Sequence, residues 1–133
     1  MLPDFSEYEH SSHPPSEARI TSAETILDMK FGSMLKEYLA TYGYLACEDV
    51  EFYGLAEDPR QDDGLTRRTL AMRETAYWTR NFAAILDLGD GLLALCDSDD
   101  MVYIADIDAN TICANSISLA EYLDYKLKEA KSH

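Results

Sequence analysis

From Ile20 to Tyr42 the apolar positions recur every three or four residues, whereas from Phe82 onward they come in short blocks separated by Gly, Asp and Asn. Thr21 and Glu24 stand at the S/T-x-x-E spacing of a capping box, so a first helix is expected to begin near Thr21. Glu17 to Ile20 can extend it backward, and Phe31-Gly32 stops it. Ser33 is placed to cap a second helix, whose Met34, Leu35, Tyr38, Leu39 and Tyr42 share one face and which Gly43 terminates. Residues 50–55, Val-Glu-Phe-Tyr-Gly-Leu, read as a strand, and a polar loop with Pro59 and Gly64 follows. A third helix is expected over 66–77, with Leu65, Thr69, Met72 and Ala76 as its inner positions. The blocks 82–88, 92–96, 101–107 and 111–116 read as four strands. The turns between them, Gly89-Asp90-Gly91 above all, are short enough to demand antiparallel neighbours. Ser118 and Glu121 form a capping box for a last helix with Leu119, Tyr122, Leu123 and Leu127 on its inner side. The order ααβαββββα predicts an α+β fold, helices packed on an antiparallel meander sheet. Residues 1–15, rich in Pro and Ser, predict a flexible arm ahead of a single domain over 16–133, although Leu2, Phe5 and Tyr8 give that arm apolar side chains with which to dock.

Composition supports one ordinary domain: 133 residues, 47% of them hydrophobic, with nine Tyr, four Phe and one Trp for the core. The charge balance narrows the function. Eleven Lys and Arg stand against 25 Asp and Glu, a formal −14. Such a surface repels phosphate backbones and anionic membranes, so neither nucleic acid nor membrane is expected as a partner. It attracts a basic protein and speeds the encounter. The plainer alternative is that the charge only keeps the protein soluble. Cys47, Cys96 and Cys113 are far apart, make no C-x-x-C pair and sit in apolar runs, which reads as three core thiols in a reducing cytoplasm. No run approaches the roughly 20 apolar residues of a membrane span. The start, Met1-Leu2-Pro3-Asp4-Phe5-Ser6-Glu7, lacks the basic end and apolar core of a secretory signal, so a cytoplasmic location is expected.

Chemistry-bearing patterns are few. The histidines, His10, His13 and His133, lie near the ends of the chain, outside the expected elements, and make no metal-ligand set with the cysteines. Asp106-Ile107-Asp108-Ala109-Asn110 opens like a calcium loop, but Thr111 stands where Gly is needed and Ile117 where the bidentate Glu is needed. A G-x-S-x-G elbow, a phosphate loop and a G-x-G-x-x-G turn are all missing from the sequence. The expectation is therefore a binding protein, not an enzyme, without cofactor or metal.

The acids, by contrast, are organised. Residues 44–63 hold Glu48, Asp49, Glu51, Glu57, Asp58, Asp62 and Asp63 against Arg60 alone. Residues 84–110 hold Asp87, Asp90, Asp97, Asp99, Asp100, Asp106 and Asp108 with no Lys or Arg. On turns and sheet edges these leave a negative field that would steer a cationic partner. Glu48, Asp49, Glu51, Glu57, Asp58, Asp97, Asp99, Asp100, Asp106 and Asp108 are the candidate contact residues. An exposed strand edge over 102–107 would let two copies pair as a weak homodimer.

Taken in order, these segments resemble the SUKH superfamily. The matching stretches are the helix pair from Ile20 to Gly43, with Lys36-Glu37-Tyr38-Leu39 and the closing Tyr42-Gly43, and the strand ending in Tyr53-Gly54-Leu55. They continue with Thr69-x-x-x-Arg73, Phe82-Ala83-Ala84-Ile85, the Gly-Asp-Gly turn, Val102-Tyr103 and the Ser118 to Leu123 helix start. Ser33-Met34 stands where the family usually has Leu-Pro, and Leu119 where it has Phe. The resemblance implies an α+β fold without shared catalytic residues. It also implies the role of the bacterial members, which are mostly immunity proteins of polymorphic toxin systems. The cognate toxin would be a basic nuclease or deaminase domain whose cleft the acidic surface occludes. The other role implied is that of a regulatory or scaffolding module, as in the family's fungal regulator of cell-wall synthesis.

Overall fold

The computed structural model describes residues 2–132, and of residues 114–116 the backbone alone; His133 lies outside the described residues. The elements run β1 (Glu9–His10), α1 (Glu17–Leu27), α2 (Ser33–Tyr42), β2 (Leu45–Cys47), β3 (Val50–Phe52), α3 (Gly64–Thr75), a 3-10 turn (Tyr77–Thr79), β4 (Ala83–Gly89), β5 (Leu92–Cys96), β6 (Met101–Asp106), β7 (Thr111–Ser118) and α4 (Leu119–Lys131). The strands form two antiparallel sheets, a small β1-β2-β3 and a meander β4-β5-β6-β7, which with four helices is the expected α+β architecture.

Leu92 to Cys96 is apolar without interruption because β5 is covered on both of its faces. Ala94 and Cys96 point into the main core with Leu35, Leu39, Phe52, Ile85, Leu123 and Leu127. Leu93 and Leu95 point the other way, into a smaller cluster with Met72, Ala84 and Ala105. Of the arm, Leu2 and Phe5 dock into the main core; Phe5 is 1% exposed, a burial that contributes about 2 kcal/mol. Its Glu9 and His10 then pair with Ala46 and Leu45 as the outer strand of the small sheet.

Several local expectations shift. The first helix starts at Glu17, capped by Ser16, whose hydroxyl accepts from the Arg19 amide; Thr21 lies inside it. Glu24 is buried and accepts instead from the Phe31 amide at 2.7 Å, which folds the α1–α2 link. The strand over 50–55 shortens to β3, because Tyr53 leaves the small sheet and donates its amide to the Ile85 carbonyl of β4. Gly54 then passes so close to the backbone of Gly43 that a Cβ there would overlap the Gly43 carbonyl, while Gly43 itself has φ 75° and a Cβ on it would crowd Ser11. Thr69 and Arg73, one turn apart on α3, also acquire a reason. Thr69 Oγ1 accepts from the Ala84 amide at 2.9 Å, while Arg73 reaches the Leu27 carbonyl at the end of α1 and the Phe82 carbonyl ahead of β4. Burial holds the Arg73 guanidinium below its ordinary pKa. The strand over 101–107 is not an edge: β6 lies between β5 and β7, so pairing of two copies through it is ruled out. The outer strand is β7, with a register irregularity opposite Val102 and Ile104. Cys96 is buried as expected, but Cys47 is half-buried and Cys113 exposed.

The second helix departs most instructively. Its N-cap is Gly32, not Ser33, and has no side chain to offer. Asp100, from the β5–β6 turn, takes over: Oδ2 accepts from the Met34 amide and Oδ1 from the Leu35 amide, both at 3.0 Å. The Asp100 carbonyl also accepts from the Leu119 amide at the start of α4, at 2.8 Å. Its side chain is 7% exposed, so an apolar replacement strands two donors at the positive end of α2. Asp100→Ala is expected to lower the unfolding free energy by about 3 kcal/mol, and Asp100→Asn, which keeps one acceptor, by roughly half as much. Urea titration of the two variants beside the parent reads both values, and equal stability of all three would refute the role.

Candidate functional site

The candidate acids do not form one surface. Asp97 and Asp99 lie at one end of β6, Asp106 and Asp108 at the other, about 17 Å apart by strand rise. Asp100 is withdrawn altogether, because its carboxylate is spent on α2. Asp97 is half-committed: Oδ1 accepts from the amides of Asp99 and Met101, and Oδ2 from the Tyr103 hydroxyl at 3.1 Å. Asp106 accepts from the Ala109 amide and folds the β6–β7 turn, where Asp108 is exposed. Glu57 accepts from both the amide and the hydroxyl of Ser16, and these bonds hold its carboxyl below the usual range. Asp58 pairs with Arg60 at 2.9 Å and is lowered by that side chain and its amide.

What the fold does bring together is Glu51 and Asp49 with four acids from elsewhere. Glu9, Glu51, Asp62 and Asp63 line a groove of about 420 Å³ with Tyr44, Arg60 and Arg67. Next to it, Asp49, Glu51, Asp62 and Asp87 converge around Arg67. Glu48 is exposed in the tight β2–β3 turn, with φ 54°, beside this surface. Two of the nearby cations are already engaged: Arg19 holds Asp63 at 2.7 Å, and Arg68 approaches Asp87 at 3.9 Å. Glu9 escaped the sequence reading because a two-residue strand has no period to detect. Asp62, Asp63 and Asp87 were visible only as members of acidic stretches.

Tyr44 reports the field in this groove. Its hydroxyl donates to Glu9 at 2.6 Å, and its pKa rises from 10.0 to about 12. The hydrogen bond to Glu9 is the largest cause, followed by burial and the negative charges of Glu9, Glu51 and Asp62. Among the described residues, no group of three or more His, Cys, Asp or Glu is placed to hold a metal ion, and no helix is long and apolar enough to cross a membrane. The thiol of Cys96, pushed up by burial, is enclosed in the core.

The SUKH_5 family, described as SMI1-KNR4 cell-wall, matches residues 4–127, and the chain belongs to that family. No curated protein matches the chain closely enough to lend it a relative.

Because the folded pKa of Tyr44 lies above the unfolded one, its hydrogen bond stabilises the fold fully below about pH 10 and is lost as pH rises through about 12. In ring-labelled protein, the Tyr44 carbon resonance is expected to titrate near 12 and to move back toward 10 in Glu9→Ala. A midpoint unmoved by that change would show that the groove is not the source of the shift.

Proposed function

We propose that this SUKH family member is a bacterial immunity protein, acting in the cytoplasm to bind a cognate toxin and occlude its active site with an acidic surface. Family membership supports a role in binding. The observation that carries the finer reading is the distribution of carboxylates. Glu48 and Asp49 on the β2–β3 turn, Asp99 on the β5–β6 turn and Asp108 on the β6–β7 turn are exposed. The groove with its neighbouring pocket adds Glu9, Glu51, Asp62, Asp63 and Asp87, of which Asp63 and Asp87 are already paired with Arg19 and Arg68. A toxin domain that cuts or deaminates nucleic acid carries a basic cleft for phosphates, and an array of carboxylates on a folded scaffold fills such a cleft in the phosphates' place.

The test begins with a tagged chain used as bait in the native cell at low salt. One basic toxin domain, released by raised salt and inactive while bound, is the expected catch. Lys substitutions at Glu48, Asp49, Glu51, Glu57 and Asp58, and separately at Asp97, Asp99, Asp106 and Asp108, should lower its affinity by at least about tenfold in one set or both. Affinity unchanged in both sets would sink the acidic-surface mechanism. Recovery of several cell-wall or signalling proteins in place of a toxin would instead make the chain a regulatory scaffold, as the family's description suggests.

A further inference from the structure

The acids at the two ends of β6 frame something the charge pattern does not show. Helices α1, α2 and α4 cover one face of the meander. On the other face, among the described residues, Met72 of α3 and Trp78 of the 3-10 turn pack on the small core of Ala84, Leu93, Leu95 and Ala105, and Thr69 of α3 bonds the Ala84 amide. Over β6 and β7 that face carries aromatic and aliphatic side chains open to solvent. Tyr103, directly across from Leu95, is half-exposed and packs edge-on against Phe82, with ring centroids 5.4 Å apart. Ile112, across from Ala105, is 41% exposed, and Tyr77 is 71% exposed. Trp78 and Ile107, both half-buried, pack against the small core.

Each aromatic is held by its polar end. The Tyr103 hydroxyl donates to Asp97 at 3.1 Å. The Trp78 indole N–H donates to the Asn110 side chain at 3.1 Å. Arg80 donates to the Tyr77 hydroxyl at 2.6 Å while its guanidinium lies 5.2 Å from the ring centroid. Rings fixed in this way lose little side-chain entropy on docking, and Trp, Tyr and Arg are the side chains that dominate binding energy at protein interfaces. The other large exposed apolar residues, Ile26, Leu70 and Tyr125, sit on three separate helices.

We infer that the β6–β7 half of this face, centred on Tyr103 and Ile112, together with Tyr77 of the 3-10 turn, whose neighbour Trp78 reaches Asn110 in the β6–β7 turn, is the anchor of the docking surface. The partner is a protein with an apolar centre flanked by cations, which the acids at the ends of β6 receive. This rests on the immunity reading and names the face that reading leaves open. Charge and anchor then have separate tasks. Asp97, Asp99 and Asp108 speed the encounter and carry its salt dependence, and the aromatics set how long the complex lasts.

Association kinetics over a range of salt, with the captured toxin domain as probe, separate these tasks. Tyr77→Ala and Ile112→Ala, both at exposed positions, should raise the dissociation rate at least about tenfold and leave the salt slope unchanged. Asp99→Lys should slow association and flatten that slope. Ile26→Ala and Tyr125→Ala, equally exposed on α1 and α4, should change nothing. Wild-type dissociation in both Tyr77→Ala and Ile112→Ala, with loss of binding in Glu51→Lys/Asp62→Lys, would overturn the anchor and place the toxin in the groove while the immunity reading stands. A bait that captures no toxin in cells that make one overturns both.

Discussion

One carboxylate fixes how the two halves of this molecule meet. Asp100 sits in a turn of the meander, yet its side chain caps the N-terminus of α2 and its carbonyl receives the first amide of α4. Glycine at position 32 follows from it, since a Cβ there would overlap the Asp100 carboxylate. So does the register of the layers. With α2 and α4 both pinned to the β5–β6 turn, the inner sides of these helices have one way to meet Ala94, Cys96 and Val102. Position 100 also needs a residue that tolerates φ 62°, which Asp does at modest cost. A helix stabilised by a residue more than sixty positions away forms only as the sheet forms, which couples the two into one cooperative unit.

The same economy explains why the acidic surface is less simple than its charge. A net −14 suggests a uniform field, but Asp100 is consumed by structure, Glu57 and Asp58 are locally satisfied, and Asp63 is neutralised by Arg19. What remains separates into a groove on the small sheet and two acidic turns that bracket an aromatic face. The groove and the β5–β6 turn each carry a tyrosine whose pKa is raised first by a hydrogen bond to a carboxylate, Tyr44 by Glu9 and Tyr103 by Asp97.

The sequence announced the parts with long periods and left out those without one. Helices α2 and α4 and the meander were legible because each repeats its pattern over several turns or strands, and Ser118 caps α4 as expected, although Glu121 meets the Ser118 hydroxyl and not its amide. The Thr21–Glu24 box did not form, because the same spacing arises inside a helix that Ser16 already caps. Strands β1 and β2, with two and three residues, hold too few positions for alternation to register. The pairing of Glu9 with Ala46 joins residues far apart in the chain and has no local signature, so half of the groove stayed hidden. The aromatic face was missed for a different reason. The sequence analysis counted the aromatics as core material, whereas among the described residues Tyr77 and Ile112 are exposed and Tyr103 is only half-buried.

Many of the acids are hooks for the chain's own backbone. Asp4, Asp62, Asp87 and Asp97 each accept from the amide two residues on, and Asp106 from the amide three residues on. Asparagine makes the same turn with its side-chain oxygen and carries no charge. Shape and charge are therefore independent variables in this scaffold. Five Asp-to-Asn changes at these hooks would take the formal charge from −14 to about −9 along an almost unaltered backbone. A lineage drifting through such exchanges could retune its electrostatics for a succession of partners without once having to rebuild its fold.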